Sequence, residues 1–233
     1  VLCTASAPTR LGAVLAQALL GGLTVLFLLP TVVSVAHAGL AEIFFCLIVS
    51  IAVTTSVAWQ LPVRPAVAAA AARVRALATC LTGVIYAQIL LGAVMRHLGA
   101  GLAIPDFPLA FGRLVPSHFD LAIGVHFAHR IGALVVLVLV VWTVWRVLGG
   151  PFDSRLRWPA RALLVLVALQ GTLGATVIWT ARAVVPNTAH VATGAALLVT
   201  SLVLTLFSRR LAVVPAAIIA AASPVRAANG ALA

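Results

Sequence analysis

The chain has 233 residues, 64% of them hydrophobic and only 8% charged, and its formal net charge of +11 rests on fifteen arginines and no lysine. That balance excludes a water-soluble domain, whose surface needs far more charge. It does not point to nucleic acid either, because the arginines lie between apolar runs, where topology signals of membrane proteins lie. Several runs exceed the roughly 20 residues that cross a hydrocarbon core of about 30 Å. They are continuous and lack the period-2 alternation of barrel strands, so they predict helices.

In chain order the pattern predicts about six transmembrane helices. The first covers Leu11–Leu29 and is ended by Pro30. The second covers Val32–Trp59 and is followed by the breaker Leu61-Pro62-Val63-Arg64-Pro65. The third covers Val74–Met95, the fourth Phe119–Val147, the fifth Pro159–Trp179 and the sixth Val185–Phe207. A last apolar stretch, Leu211–Ala222, is too short to span and reads as an interfacial tail. The fold class is therefore all-α, a polytopic membrane helical bundle.

Arginine placement gives the orientation. Arg10, Arg64, Arg73, Arg75, Arg146, Arg155, Arg157, Arg161, Arg209, Arg210 and Arg226 share one side, against Arg96, Arg113 and Arg182 on the other. The positive-inside rule then puts both termini in the cytoplasm of a bacterial-type cell membrane. Trp59, Trp145 and Trp158 fall at inner boundaries and Trp179 at an outer one. Cys3, Cys46 and Cys80 show no metal-ligand spacing, and no disulfide is expected.

All six histidines fall in the outer half on this reading. His37, His129 and His190 lie at similar depths in spans two, four and six, on the order of 8 to 15 Å below the outer surface. They belong to a repeat. Gln17 and Gly21 precede His37, Gln88 and Gly92 precede His129, and Gln170 and Gly174 precede His190. The order is glutamine helix then histidine helix, three times over. Spans three to six make a complete four-helix unit, and spans one and two match the second half of another. The chain thus divides into a two-helix remnant (1–60), a cytoplasmic linker (61–73), a four-helix half (74–210) and a tail (211–233).

Two imidazoles at matching depth on two helices of one bundle are what bis-histidine heme ligation requires, which makes His129 and His190 the expected iron ligands. Gly132 and Gly194 are expected to leave room for a flat macrocycle. His126 shares the face of His129 and is either the ligand in its place or a partner for a heme propionate. Arg130, a charge inside a span, needs either the outer aqueous rim or an anion: a propionate, Glu42 or Asp120. The glutamines read as helix–helix glue, with Gly21, Gly92 and Gly174 allowing close approach. His97 and His118 belong to the outer loop, where solvated and functional readings both stand. Glu42 is read first as a residue that pairs across helices.

Met95-Arg96-His97-Leu98-Gly99-Ala100-Gly101-Leu102, then Pro105-Asp106-Phe107-Pro108-Leu109, resembles the outer-loop signature of heme A synthases. His126-Phe127-Ala128-His129-Arg130, Gln170-Gly-Thr-Leu-Gly-Ala-Thr-Val177 and Asn187-Thr-Ala-His190 extend the resemblance over about residues 11 to 208. The resemblance implies two similar four-helix halves and oxidation of a methyl group of heme O to a formyl group, which yields heme A for cytochrome oxidase assembly. It implies a b-type heme on His129 and His190, and heme O as the substrate near His37, a possible second iron ligand. It also implies an unidentified electron donor, and contact with lipid and with a second copy or heme O synthase. The family's first His-Arg helix, with its acidic residue, has no counterpart here, so no catalytic residue is identified. The Val start fits a truncated sequence, active or an inactive fragment. The rival expectation is a b-type cytochrome subunit that carries electrons without catalysis.

Overall fold

The computed structural model describes residues 7–26, 31–63 and 65–212. Pro30, Arg64, Cys3, Arg226 and most of the 211–233 tail lie outside the described residues, as do the side chains of Leu11 and Arg10. All regular elements among the described residues are helical: α1 (Ala7–Leu26), α2 (Thr31–Thr54), α3 (Val57–Gln60), α4 (Pro65–His97), α5 (Leu121–Leu148), α6 (Ser154–Trp179) and α7 (Val184–Ala212). Five of them, α2 and α4 to α7, are long and apolar enough to cross a membrane. In α1 the apolar stretch among the described residues is shorter, Val14–Leu23.

Three boundaries differ from the sequence reading. The second span breaks at Thr55-Ser56, because Ser56 Oγ bonds back to the Val53 carbonyl at 2.6 Å and Thr55 Oγ1 to that of Ile51 at 2.8 Å. Such hydroxyls compete with the helical ladder, and the short α3 follows the break. The third span starts at Pro65, well inside the segment read as a linker. Proline suits a first helical turn, and the following alanine run has the highest helix propensity; Ala68 and Ala71 are buried. The fifth span starts at Ser154, where the Asp153 side chain caps the Arg155 amide at 3.0 Å.

The helices α4, α5, α6 and α7 form a closed ring in which α4 packs on α5, α5 on α6, α6 on α7 and α7 back on α4. This places α5 and α7 on opposite corners, with α4 and α6 on the other diagonal. The core is densest toward the end away from the 98–120 loop, where Ala78, Leu81, Val140, Val147, Leu156, Leu163, Leu204 and Leu211 are buried. Thr82 and Thr205 join α4 to α7 through their hydroxyls at 2.9 Å. In lipid such packing and interhelical bonds, not the hydrophobic effect, hold helices together. The pair α1–α2 docks on this ring through α2, which packs on α4 and α7. At that crossing Gly39 lies under Leu90 and Tyr86, and the Tyr86 hydroxyl donates to the Gly39 carbonyl at 3.2 Å.

At the opposite end the segment after α3 is tied down by arginines. Arg155 pairs with Asp153 at 2.7 Å and reaches the Leu61 carbonyl at 3.3 Å, and Arg210 reaches that of Trp59 at 3.2 Å. Trp145, Trp158 and Trp179 are exposed, as rings at a membrane boundary are.

Candidate functional site

Three helix pairs present the same local arrangement. In each, a glutamine and a glycine one turn apart on one helix face a histidine on the next. Gln88 Nε2 donates to the His129 carbonyl at 2.7 Å and meets His129 Nδ1 at 3.0 Å. Gln170 Nε2 meets His190 Nε2 at 3.3 Å. Gln17 Nε2 reaches the His37 carbonyl at 3.4 Å. The glycine lies against the Cε1 edge of the ring every time: a Cβ would stand 3.0 Å from that of His37 at Gly21, 2.9 Å from that of His129 at Gly92 and 3.2 Å from that of His190 at Gly174.

The helix termini explain the common depth. Gln17, Gln88 and Gln170 each stand nine residues before the end of α1, α4 and α6, and the histidines six to eight residues after the start of α2, α5 and α7. At about 1.5 Å per residue the imidazoles sit roughly 9 to 12 Å into their helices.

Gly132 and Gly194 play a different part from the one expected. They face glutamine amides: the Gln88 amide lies over Gly132, and a Cβ at Gly194 would stand 3.4 Å from Gln170 Nε2. The room they make is filled by protein, not left for a macrocycle. Gln88 and Gln170 meet ring nitrogens as well as joining helices, while Gln17 reaches only the α2 backbone among the described residues, as helix glue does. The equal Gln-to-His spacing of the first and third copies was the sequence signal for this.

His126 and Arg130 hold the 98–120 loop. His126 is buried, its Nδ1 accepts the Ile104 amide at 3.2 Å, and its Nε2 meets Arg130 Nε at 3.3 Å. A neutral ring accepts at one nitrogen only, so it takes either the Ile104 amide or the Arg130 Nε–H, but both nitrogens face protein, which argues against the alternative of His126 as iron ligand. Arg130 also donates to the carbonyls of Leu109 (2.7 Å), Ile104 (3.0 Å) and Asp106 (2.7 Å), and its guanidinium lies 5.7 Å from the Phe107 ring centroid. Its partners are neither Glu42 nor Asp120. The Asp120 side chain caps α5 by accepting from Ile123 at 2.7 Å, and Glu42 keeps a buried oxygen, Oε2, without a partner among the described residues. Ile104 and Ala110 bury against Ile123, and Phe107 packs edge-on to Trp179, so the loop caps the ring of helices. His118 stacks at a tilt on Phe111, and His97 closes α4.

Asp106, which the sequence reading passed over, anchors the loop tip. Its two carboxylate oxygens accept from the Phe111 and Gly112 amides at 2.8 Å each, where both residues have positive φ. Those two amides, Gly112's foremost, hold the carboxyl below its ordinary value of 3.8, with the Arg130 charge assisting. A lowered value means the charged form is favoured in the fold. The anchor is thus in place at neutral pH and is lost only as pH falls through a point below 3.8. Asp106→Ala is expected to speed amide exchange of the 105–113 peptide roughly tenfold, the scale of a lost charge-assisted bond, read by hydrogen-exchange mass spectrometry.

A cleft of about 370 Å³ opens between α1 and α2, lined by Val14, Gln17, Ala18, Gly21, His37 and Phe44. Its size falls in the range of small-molecule sites, roughly 300 to 1,000 Å³. A groove of about 460 Å³ on α5, lined by Leu137, Val138, Val141, Trp142 and Trp145, has no ligating side chain and is a lipid-facing surface.

Residues of the ring fit a metal macrocycle in their donor chemistry. His129 and His190 stand on the helices at opposite corners of the ring, and an imidazole is an iron donor. Gln88 Nε2 and Gln170 Nε2 donate to His129 Nδ1 and His190 Nε2, so ligation calls for the other ring tautomer, each glutamine turned to present its oxygen to a ring N–H. His190 Nδ1 is buried without a partner among the described residues. A buried nitrogen left so costs about 1 to 3 kcal/mol, a cost that ligation or a bound group removes. His37 Nδ1 is in the same condition beside the cleft.

The sequence matches the cytochrome oxidase assembly protein family over residues 3–203. A heme A synthase of Symbiobacterium thermophilum is 39% identical over 90 residues, which is 39% of this chain and 29% of the relative. A heme A synthase of Halalkalibacterium halodurans is 34% identical over 96 residues, 41% of this chain and 32% of the relative. One of Nitrosospira multiformis is 34% identical over 139 residues, 53% of this chain and 37% of the relative. The aligned part of this chain thus spans well under two thirds of the length of each relative.

Proposed function

The chain belongs to the cytochrome oxidase assembly protein family, and from that premise we propose that it is an oxidoreductase of heme A biosynthesis that turns a methyl group of heme O into a formyl group. The observation that carries this reading is the pair of glutamine-held imidazoles, His129 and His190, on opposite corners of the α4–α7 ring. These two residues would hold a resident b-type heme, which when bound through two imidazoles supplies electron transfer.

Residues of the chain do the rest. His126 and Arg130 fasten the 98–120 loop over the ring. Arg130 uses four of its five N–H groups on the loop and on His126, and the remaining one is available to a propionate. His37 and its cleft would receive heme O, with Gln17 and Gly21 shaping the wall. Residues 74–210 serve as the cofactor half and 1–60 as the substrate half. Eleven arginines on one side against three on the other orient the loop and the imidazoles toward the outer face, with both termini in the cytoplasm.

The test is expression of the chain in membranes that make heme O but no heme A, followed by chromatography of the extracted hemes. The expected result is a heme A peak absent from the vector control. A chain that carries low-spin heme yet yields no heme A would overturn the enzymatic reading and leave an electron carrier.

A further inference from the structure

The Gln-x-x-x-Gly turns of α4 and α6 do more than pack helices: we propose that they are positioning devices that fix the rotation of the axial imidazoles of His129 and His190, and that the copy on α1 holds His37 more loosely. This rests on the reading of His129 and His190 as ligands.

Three observations carry it. First, helix glue requires only small residues and any polar partner, whereas here one ring atom, Cε1, lies against the glycine in three separate helix pairs at 2.9 to 3.2 Å from where a Cβ would stand. A ring can approach that closely only edge-on, so the glycine limits its rotation. Second, the glutamine limits it from the other side. The amide nitrogen of Gln88 holds both the backbone carbonyl and the ring Nδ1 of His129, so the ring is referenced to its own backbone. Gln170 holds a ring nitrogen of His190. Third, the histidine helix returns the favour. Gly132 and Gly194, one turn beyond His129 and His190, admit the amides of Gln88 and Gln170.

After His37 the corresponding positions are Leu40 and Ala41. No glycine admits Gln17 there, and its amide stops at the carbonyl, 3.4 Å away. A tight clasp suits a resident group, and a loose one suits a group that enters and leaves. Outer partners of ligating histidines tune the ring's orientation and basicity, so the clasp predicts where spectra will move.

The test uses the full chain in detergent with four variants. In heme-free protein labelled with ¹⁵N-histidine, Gln88→Leu is expected to move the His129 Nδ1 resonance and leave His37 unmoved. In heme-loaded protein, Gln88→Leu and Gln170→Leu are expected to shift the low-spin electron paramagnetic resonance g values with heme content unchanged. Gly92→Ala is expected to shift the same signal or lose it. Gly83→Ala, on the same helix with nothing within 4 Å of its added Cβ, is the control and is expected to match the parent. An unmoved Nδ1 resonance in Gln88→Leu, or parent-like g values in both glutamine variants, overturns the clasp. A parent chain without low-spin heme overturns the ligand reading instead, and the nitrogen resonance still reports on the clasp.

Discussion

His129→Ala is expected to remove the low-spin heme signal from the purified chain and to lower its heme-to-protein ratio at least tenfold, which corresponds to about 1.4 kcal/mol or more of lost binding. The helices α5 and α7 are diagonal, and His126, one turn before His129, is already held against Ile104 and Arg130. No neighbour stands ready to replace the lost ring. The substitution also empties the notch over Gly92 and leaves the Gln88 amide with only a carbonyl to hold. His190→Ala is expected to do the same, and the double variant to be no worse than either single one, since one missing axial ligand already breaks the unit. Reduced-minus-oxidised spectra and a pyridine hemochrome assay read the loss. Added imidazole separates a ligand role from a packing role. Rescue of the low-spin spectrum by free imidazole is expected, and a variant that keeps the full parental signal without it would refute the assignment.

Much of this site was legible before the structure, and what was not had a physical reason. Depth was legible, because helix ends in a membrane protein are set by where apolar runs meet breakers. The sequence put His37, His129 and His190 at similar depths in their spans, and the helices place them six to eight residues in. The start of α4 was not legible, since Pro62, Pro65, Arg73 and Arg75 mark a polar boundary while the alanines between them signal neither lipid nor water. Packing decides that case: Ala68 and Ala71 are buried against neighbouring helices, which no one-dimensional pattern displays. Gly132 and Gly194 show the same limit. A glycine announces space, but only the facing helix shows that an amide occupies it. The partners of Arg130 were hidden more deeply. A charge inside a span suggests a counter-charge, whereas three loop carbonyls have no signature in the sequence at all.

That last point makes Arg130 the other position with a large expected effect. Arg130→Leu withdraws the donor from three loop carbonyls and from His126 at once, along with the contact to the Phe107 ring. Bonds from a charged donor contribute about 1.5 to 3 kcal/mol each when both partners are buried, and carbonyls at the loop surface recover part of that from water. A net loss of about 3 kcal/mol in the closure of the loop is therefore expected, on the order of a hundredfold in amide exchange across 98–120. Arg130→Lys is not a rescue, because an ammonium lacks the planar fork that spans three carbonyls, and most of the loss is expected to remain. The Asp106 turn offers an internal standard, since its two amide bonds do not pass through Arg130. Exchange at Phe111 and Gly112 is thus expected to rise less than at Ile104, whose amide rests on His126 and whose carbonyl rests on Arg130. If instead the whole loop keeps its parental protection in Arg130→Leu, the loop is closed by its apolar contacts with Ile123 and Trp179 alone, and the guanidinium is free for a ligand.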